Sequence, residues 1–231
     1  MLNELTIVLP LHNKAHAIEK TIKEISKSKL YKICQIIVVE NESTDHSLKK
    51  IYEIQKIYGS KLDINIYTSK KGKGNAIRTA IPKIKYEWCW ITGAELPFGF
   101  TDLEGAINDK LNSDAYLGSK SHPNSSINRK KSRELFSTIF YLLRKVLLNL
   151  NFRDTHGSII VKSDKLKSIS NFLTQESFFI DTEIVLKLYE LDLNIIEVPI
   201  SLVNEDYHST VKPIKDGFKI LYQTIKTSFK N

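Results

Sequence analysis

The run Ile33-Cys34-Gln35-Ile36-Ile37-Val38-Val39 constrains the fold most. It is apolar at six of seven positions, rich in β-branched residues and too short for an ordinary helix. A strand with apolar side chains on both sides needs cover on both faces. That is the environment of a parallel sheet flanked by helices, not of a sheet with one wet face. Leu5–Leu11 has the same character and ends near Pro10 and the polar His12-Asn13. Residues 87–92 form a third such run, Trp88-Cys89-Trp90-Ile91 at its centre, which breaks into Gly93-Ala94-Glu95-Leu96-Pro97.

Segments of helical period separate these runs. Ala15–Ser28 carries Ile18, Ile22 and Ile25 on one face. The region of Asp45 caps a helix bearing Leu48, Ile51, Ile54 and Ile57. Leu62–Tyr67 is a further strand, and Lys71-Gly72-Lys73-Gly74 opens a helix with Ala76, Ile77 and Ala80. A helix over Asp102–Leu111 and a strand over Ala115–Gly118 continue the alternation, which predicts a doubly wound α/β sheet with helices on both faces. Beyond it, Ser121–Lys131 reads as a polar, basic loop. Glu134–Leu150 reads as a strongly apolar helix interrupted by Arg144-Lys145. Asp154–Gly157 is a turn before a short strand, Ser158–Lys162. Phe178–Leu191 is a helix, Asn194–Pro199 a strand, and Pro213–Lys230 a closing helix with Pro213 in its first turn. No linker-like stretch divides the 231 residues, so a single domain is expected.

Charge narrows the partner classes. Thirty-four basic against 26 acidic residues leave a net charge of +8, which favours an anionic partner or simply solubility. Nucleic acid is disfavoured because the basic residues are not interleaved with an aromatic platform. Cys34 and Cys89 lie in apolar runs without metal-ligand spacing and are expected to be buried thiols, which suits a cytoplasmic chain. Leu5–Leu11 reads as structure rather than as a leader. No apolar run reaches the ~18 residues of a spanning helix, so contact with a membrane is expected to be peripheral at most. In the closing helix Ile214, Phe218, Leu221, Tyr222, Ile225 and Phe229 are surrounded by Lys212, Lys215, Lys219, Lys226 and Lys230. Such a face packs on its own core or lies on an anionic membrane surface.

Open α/β sheets bind ligands outside the carboxyl ends of their strands. Glu40-Asn41, Lys71–Gly74 and Glu95 all fall there. Glu40 and Asn41 can read a base edge, although Ser43, Thr44 and Asp45 beside them also suit a capping loop. Glycines at a helix N-terminus suit a phosphate, with charge from Lys73 and Arg78; a solvated turn has the same composition. Glu95 is a ligand-facing carboxylate or a solvated strand end. Asp181 is the candidate general base, with Glu183 second; both also fit as helix-start acids stabilised by the dipole. His156 reads as structural, and Trp88 and Trp90 as one packed face. The cluster Ser119–His122, Arg129, Lys130, Lys131 and Arg133 is a solvated loop or an anion grip.

Several motifs appear in the order of a known family: Leu9-Pro10-Leu11-His12-Asn13, Val38–Asp45, Lys71–Ala76, Gly93-Ala94-Glu95, Asp154–Gly157, Phe179–Glu183 and Ile196–Pro199. Over about residues 4–212 the chain resembles family 2 glycosyltransferases of the GT-A fold. It is most similar to the branch with dolichyl-phosphate mannose and glucose synthases. Val38–Asp45 resembles that family's VDDGSTD segment, and Gly93-Ala94-Glu95 lies at its DxD metal motif. The resemblance implies a GT-A domain with a mostly parallel central sheet. Its nucleotide-binding part spans about 1–118, its acceptor part about 119–211 and a C-terminal amphipathic helix 213–230. It implies an inverting transfer from a UDP- or GDP-linked sugar to a polyprenyl phosphate at the cytoplasmic membrane face. The alternatives are transfer to a saccharide hydroxyl in surface-polysaccharide synthesis, and a non-catalytic nucleotide-sugar-binding protein. By resemblance Pro10, Asn13, Glu40, Asn41, Lys73, Ala94 and Glu95 bind the donor. Arg129 and Arg133 bind the acceptor phosphate, Asp181 is catalytic, and Glu95 holds Mg²⁺ or Mn²⁺. Two positions depart from the pattern: Gly93 stands where the first metal acid belongs, and Lys14 where the opening loop has an acid. A phosphate acceptor is ionised near neutral pH and needs no base, whereas a hydroxyl does.

Overall fold

The computed structural model describes residues 4–28, 34–127, 131–202 and 221–227; the side chains of 131–133 lie outside that description. The strands are β1 (Leu5–Leu11), β2 (Cys34–Glu40), β3 (Asp63–Thr68), β4 (Trp88–Ile91), β5 (Ala115–Ser119), β6 (Ile159–Lys162) and β7 (Ile195–Pro199). The helices are α1 (Ala15–Lys27), α2 (Ser47–Tyr58), α3 (Lys73–Ala80), α4 (Thr101–Asn108), α5 (Lys131–Leu148), α6 (Ser163–Ser168) and α7 (Ile180–Glu190). One seven-stranded sheet has the order β3-β2-β1-β4-β6-β5-β7. All neighbours run parallel except β6, which is antiparallel to both β4 and β5. The sheet is therefore mostly parallel and doubly wound, as expected. The reversal of β6 had no signal, because side-chain alternation is the same in either direction.

Alternation along the strands builds two cores. Leu5, Ile7, Leu9, Ile36, Val38, Trp88 and Trp90 face one way, with Ile18, Ile22 and Ile25 of α1, Ile51 and Ile54 of α2, and Leu103 of α4. Val8, Ile37, Val39, Cys89 and Ile91 face the other, with α3, α6 and α7. Trp88 and Trp90 thus share one packed face, and Trp90 Nε1 donates to Asp102 Oδ2 at 2.8 Å. Cys34 and Cys89 are free and buried. Burial pushes the Cys34 thiol up to about 12 and raises that of Cys89 as well.

Two details depart from expectation. On α2 only Ile51 and Ile54 of the apolar set are buried, while Ile57 is 63% exposed. Residues 163–168, unassigned above, form α6. The apolar helix expected over Glu134–Leu150 is α5, Lys131–Leu148; on it Leu135, Ile139, Leu142 and Val146 point outward, and the charged Arg144 is buried. Residues 221–227 are helical; the rest of the predicted closing helix lies outside the described residues.

Candidate active site

The loops after β1 and β2 are knotted together. Asn13 has φ +53°, and its Oδ1 accepts from Thr44 N at 2.7 Å and Asp45 N at 3.3 Å. Three successive N–H groups entering α1 find side chains of the β2–α2 loop: Asn13 N on Ser43 Oγ, Lys14 N on Ser47 Oγ and Ala15 N on Asp45 Oδ2. With Ala17 N and Ile18 N on Lys14 O, protein groups take up the N–H groups of Ala15, Ala17 and Ile18 at the start of α1. Glu40 is buried and accepts the Ser43 N–H through Oε1. Asn41 is also buried; its N–H donates to Leu11 O at 2.9 Å, and its carbonyl faces His12 Nδ1 at 3.0 Å. Asp45 Oδ1 accepts the Ser47 N–H at 2.9 Å. The segment thus has capping and positioning work whatever else it binds. Pro10 lies in β1, paired with Val39.

At the end of β4 the chain turns sharply, with Leu96 N on Gly93 O at 2.8 Å and Leu96 at φ +47°. The Thr21 hydroxyl of α1 donates to Ala94 O at 2.8 Å and fixes the corner. Glu95 is in direct ionic contact with the Lys14 ammonium, and both side chains are largely buried. A Cβ at Gly93 would meet only the Pro97 ring, no closer than 3.4 Å, so packing does not demand glycine there.

The glycines that open α3 admit backbone. Gly72 sits at φ +128°, where a Cβ would lie 2.2 Å from Glu176 O; at Gly74 it would lie 2.0 Å from Gln175 O. Gly74 N donates to Glu176 O at 2.9 Å. The close approach expected of a phosphate is made here by residues 175–176. Those residues are held by Glu183, whose carboxylate accepts Thr174 N at 3.0 Å, Thr174 Oγ1 at 2.9 Å and Gln175 N at 2.9 Å. The Glu183 carboxylate is thus engaged in clamping the 174–175 segment.

Lys73 Nζ lies 2.6 Å from Asp181 Oδ2. Asp181 is 1% exposed, and its Oδ1 has no hydrogen-bond partner. Burial raises the proton affinity of Asp181 above the ordinary carboxylate value, against the pull of Lys73. Next to it Thr182 Oγ1 meets Thr155 Oγ1 at 2.8 Å, which ties α7 to the 154–157 turn. There Lys120 Nζ contacts Asp154 Oδ2 at 3.2 Å and His156 O at 2.8 Å. Asp154 also accepts Lys120 N and His156 N. Burial works to raise Asp154, but the Lys120 ammonium and these N–H groups hold it well below the usual carboxylate range. His156 is pushed down to about 3 by burial, and then by the Arg144 cation, so it is neutral. Its Nδ1 faces Thr155 Oγ1 at 3.2 Å, and its Nε2 has no partner. Buried Arg144 donates to Arg153 O at 3.2 Å, and Glu197 accepts Arg153 N and Asp154 N.

Lys120 also borders a cleft of about 470 Å³, together with Ser121, Ser125, Glu134, Ser137, Thr138, Tyr141 and Arg153. Of the two expected acceptor arginines, Arg129 lies outside the described residues, as does the side chain of Arg133. Among the described residues no three His, Cys, Asp or Glu side chains form a metal-holding group. Nor does any helix there have the length and apolarity to cross a membrane.

The family model for glycosyl transferase family 2 matches residues 6–168. The chain belongs to glycosyl transferase family 2. It is a glycosyltransferase with the GT-A fold. Solved structures agree on the fold. One is glucosyl-3-phosphoglycerate synthase from Mycobacterium tuberculosis with uridine diphosphate, at TM-score 0.69, 16% identity, 99% of this chain and 79% of that one. The same synthase with Mn²⁺, UDP-glucose and phosphoglyceric acid matches at TM-score 0.68 and 15% identity, again over 99% and 79%. Its complex with Mg²⁺ and uridine diphosphate matches at 0.68 and 13%, over 98% and 78%. In this family 2 glycosyltransferase, sequence reasoning had singled out neither the Lys14 contact with Glu95 nor the inward turn of Arg144. The first was signalled only by a lysine in place of an acid. The second was signalled only by an arginine breaking an apolar run.

Proposed function

We propose that the protein transfers a sugar, with inversion, from a UDP- or GDP-linked donor to a polyprenyl phosphate at the cytoplasmic membrane face. The acceptor reading rests on one observation. The polar cleft carries Lys120 and Arg153, and its α5 wall continues into an outward apolar face of Leu135, Ile139, Leu142 and Val146. Lys120 is paired with Asp154 and Glu134 shares the lining, so Arg153 is the cation the cleft offers; a polar cleft with that guanidinium beside exposed apolar surface suits an ionised head on a lipid tail. On the donor side, Pro10, Asn13, Glu40, Asn41 and Ala94 shape the nucleoside end, and Lys73 and Glu95 the diphosphate end. The synthase structures carry UDP-glucose with Mn²⁺ or uridine diphosphate with Mg²⁺. Here Glu95 is the carboxylate that fits such an ion, which otherwise takes phosphate oxygens and water. When bound, it neutralises charge on the leaving diphosphate. The whole chain acts as one domain, with its donor part about 1–118, its acceptor part about 119–211 and the helical residues 221–227 beside the lipid surface.

The chain's own groups then have simple tasks. Lys73 and Lys120, each held by a buried carboxylate (Asp181 and Asp154), place N–H donors at the rim. Arg129 and Arg133, with Arg153, receive the acceptor phosphate. That phosphate attacks as an anion, and Asp181 holds Lys73 in place. A second reading, transfer to a saccharide hydroxyl, is favoured by the unpartnered Asp181 Oδ1, which could accept the proton. The test is transfer of labelled sugar from UDP-glucose or GDP-mannose to polyprenyl phosphate in micelles, against 3-phosphoglycerate and oligosaccharides as acceptors. Labelled lipid is expected. Label found only in a water-soluble product would overturn the lipid acceptor.

A further inference from the structure

Lys14 and Glu95 stand at the carboxyl ends of β1 and β4, neighbouring parallel strands in register from Leu5↔Trp88 to Val8↔Ile91. Their contact is a direct ion pair with side chains 16% and 10% exposed. The main chain of each is fixed separately, Lys14 N by Ser47 Oγ and the Glu95 corner by Thr21 on Ala94 O. The pair is therefore set by two anchored loops and not by two wandering side chains. Among the described residues Glu95 belongs to no group of three His, Cys, Asp or Glu side chains able to hold a metal, and the neighbouring Gly93 is not forced by packing.

We infer that Lys14 is a resident counter-ion that occupies Glu95 until a nucleoside diphosphate arrives, and so makes divalent-cation binding conditional on the donor. The inference rests on the donor reading above. A partly buried carboxylate already paired with an ammonium has little field left for a second cation. A metal ion approaching the empty donor site must displace Lys14 or sit beside it against like charge. A diphosphate changes the balance. It offers the ammonium a more highly charged partner, and its oxygens complete the coordination that one carboxylate leaves open. Donor and ion then bind together, and the ion alone binds weakly.

The experiment follows Mn²⁺ by electron paramagnetic resonance on the full chain, with and without saturating UDP. UDP binding itself is measured independently by equilibrium dialysis. Wild type is expected to bind Mn²⁺ roughly tenfold or more tighter with UDP present, within the range by which groups around a metal ligand change its affinity. Lys14→Met and Lys14→Gln should each tighten Mn²⁺ binding without UDP by about tenfold. Glu95→Gln should remove that gain in either background. Equal Mn²⁺ affinity with and without UDP in wild type, while UDP binds, overturns the inference and leaves the donor reading intact. So does unchanged Mn²⁺ affinity in folded Lys14 variants. Failure of UDP and GDP to bind under any condition overturns the donor reading, and this inference with it.

Discussion

Lys73 Nζ approaches Asp181 Oδ2 to 2.6 Å across 108 positions of sequence, joining the first turn of α3 to the first turn of α7. The pair is the electrostatic link between the two helices. Asp181 is almost fully buried, so Lys73→Met leaves it without its hydrogen-bonded cation and with only the more distant Lys120 charge. A loss of roughly 2–3 kcal/mol is expected, below the upper range for buried pairs because Lys73 is partly exposed. Urea unfolding measures it. Asp181→Asn distinguishes the acceptors: a phosphate acceptor should keep most of its turnover, while a hydroxyl acceptor should lose about 100-fold or more.

Glu183 holds residues 174–175 by three donors. Glu183→Ala leaves those donors without the carboxylate and is expected to cost roughly 3 kcal/mol. Turnover of the remaining folded protein should survive better than in Lys73→Met. A collapse of turnover without loss of stability would make Glu183 a chemical group after all.

Gly74→Ala places a methyl against Gln175 O. Relief requires moving α3 off the 174–176 segment, at roughly 1–3 kcal/mol or more. A lower midpoint in thermal melts is expected. An unchanged midpoint would mean that the two segments separate freely.

Asp102 is fully buried and accepts from Trp90 Nε1, Ser158 Oγ and Leu103 N. Burial, only partly offset by these bonds, raises it from the ordinary 3.8 to about 6. Between those values the folded protein holds the proton more tightly than the unfolded chain. The contribution of Asp102 is therefore full below about pH 4 and declines as pH rises to about 6, by roughly 3 kcal/mol at 1.4 kcal/mol per unit. Asp102→Asn costs absolute stability, because its amide nitrogen faces a donor, but it should remove this slope. Comparing urea midpoints of the two proteins from pH 4 to 7 isolates Asp102 from His156, whose lowered value gives the opposite slope.

The parallel half of the fold was legible because β1, β2 and β4 are apolar on both sides, and period alone separates them from α1, α2 and α3. The direction of β6 was not, since four alternating residues carry no arrow. Along α5 the helix was legible but not its orientation: Leu135, Ile139, Leu142 and Val146 face out, while Arg144 turns inward to the carbonyls of 152 and 153. At the site, the sequence located the corners of the sheet but not their partners. Gly72 and Gly74 signalled a close approach without naming what approaches. Lys14 and Glu95 are separated by most of the first half of the chain, and only the neighbouring of β1 and β4 brings them together.

Because β6 runs against its neighbours, the rim beyond β4 receives that strand's approach and not its exit: Ile91 lies opposite Ile159. The groups at 154–157 are thus steered by the stretch leading into β6. Insertions between Leu148 and Asp154 would shift them sideways past the Gly93–Glu95 corner. Insertions beyond Lys162 would fall at the opposite end of the sheet and leave that spacing alone. The position of that turn relative to the end of β4 is thus governed by a handful of residues before one reversed strand.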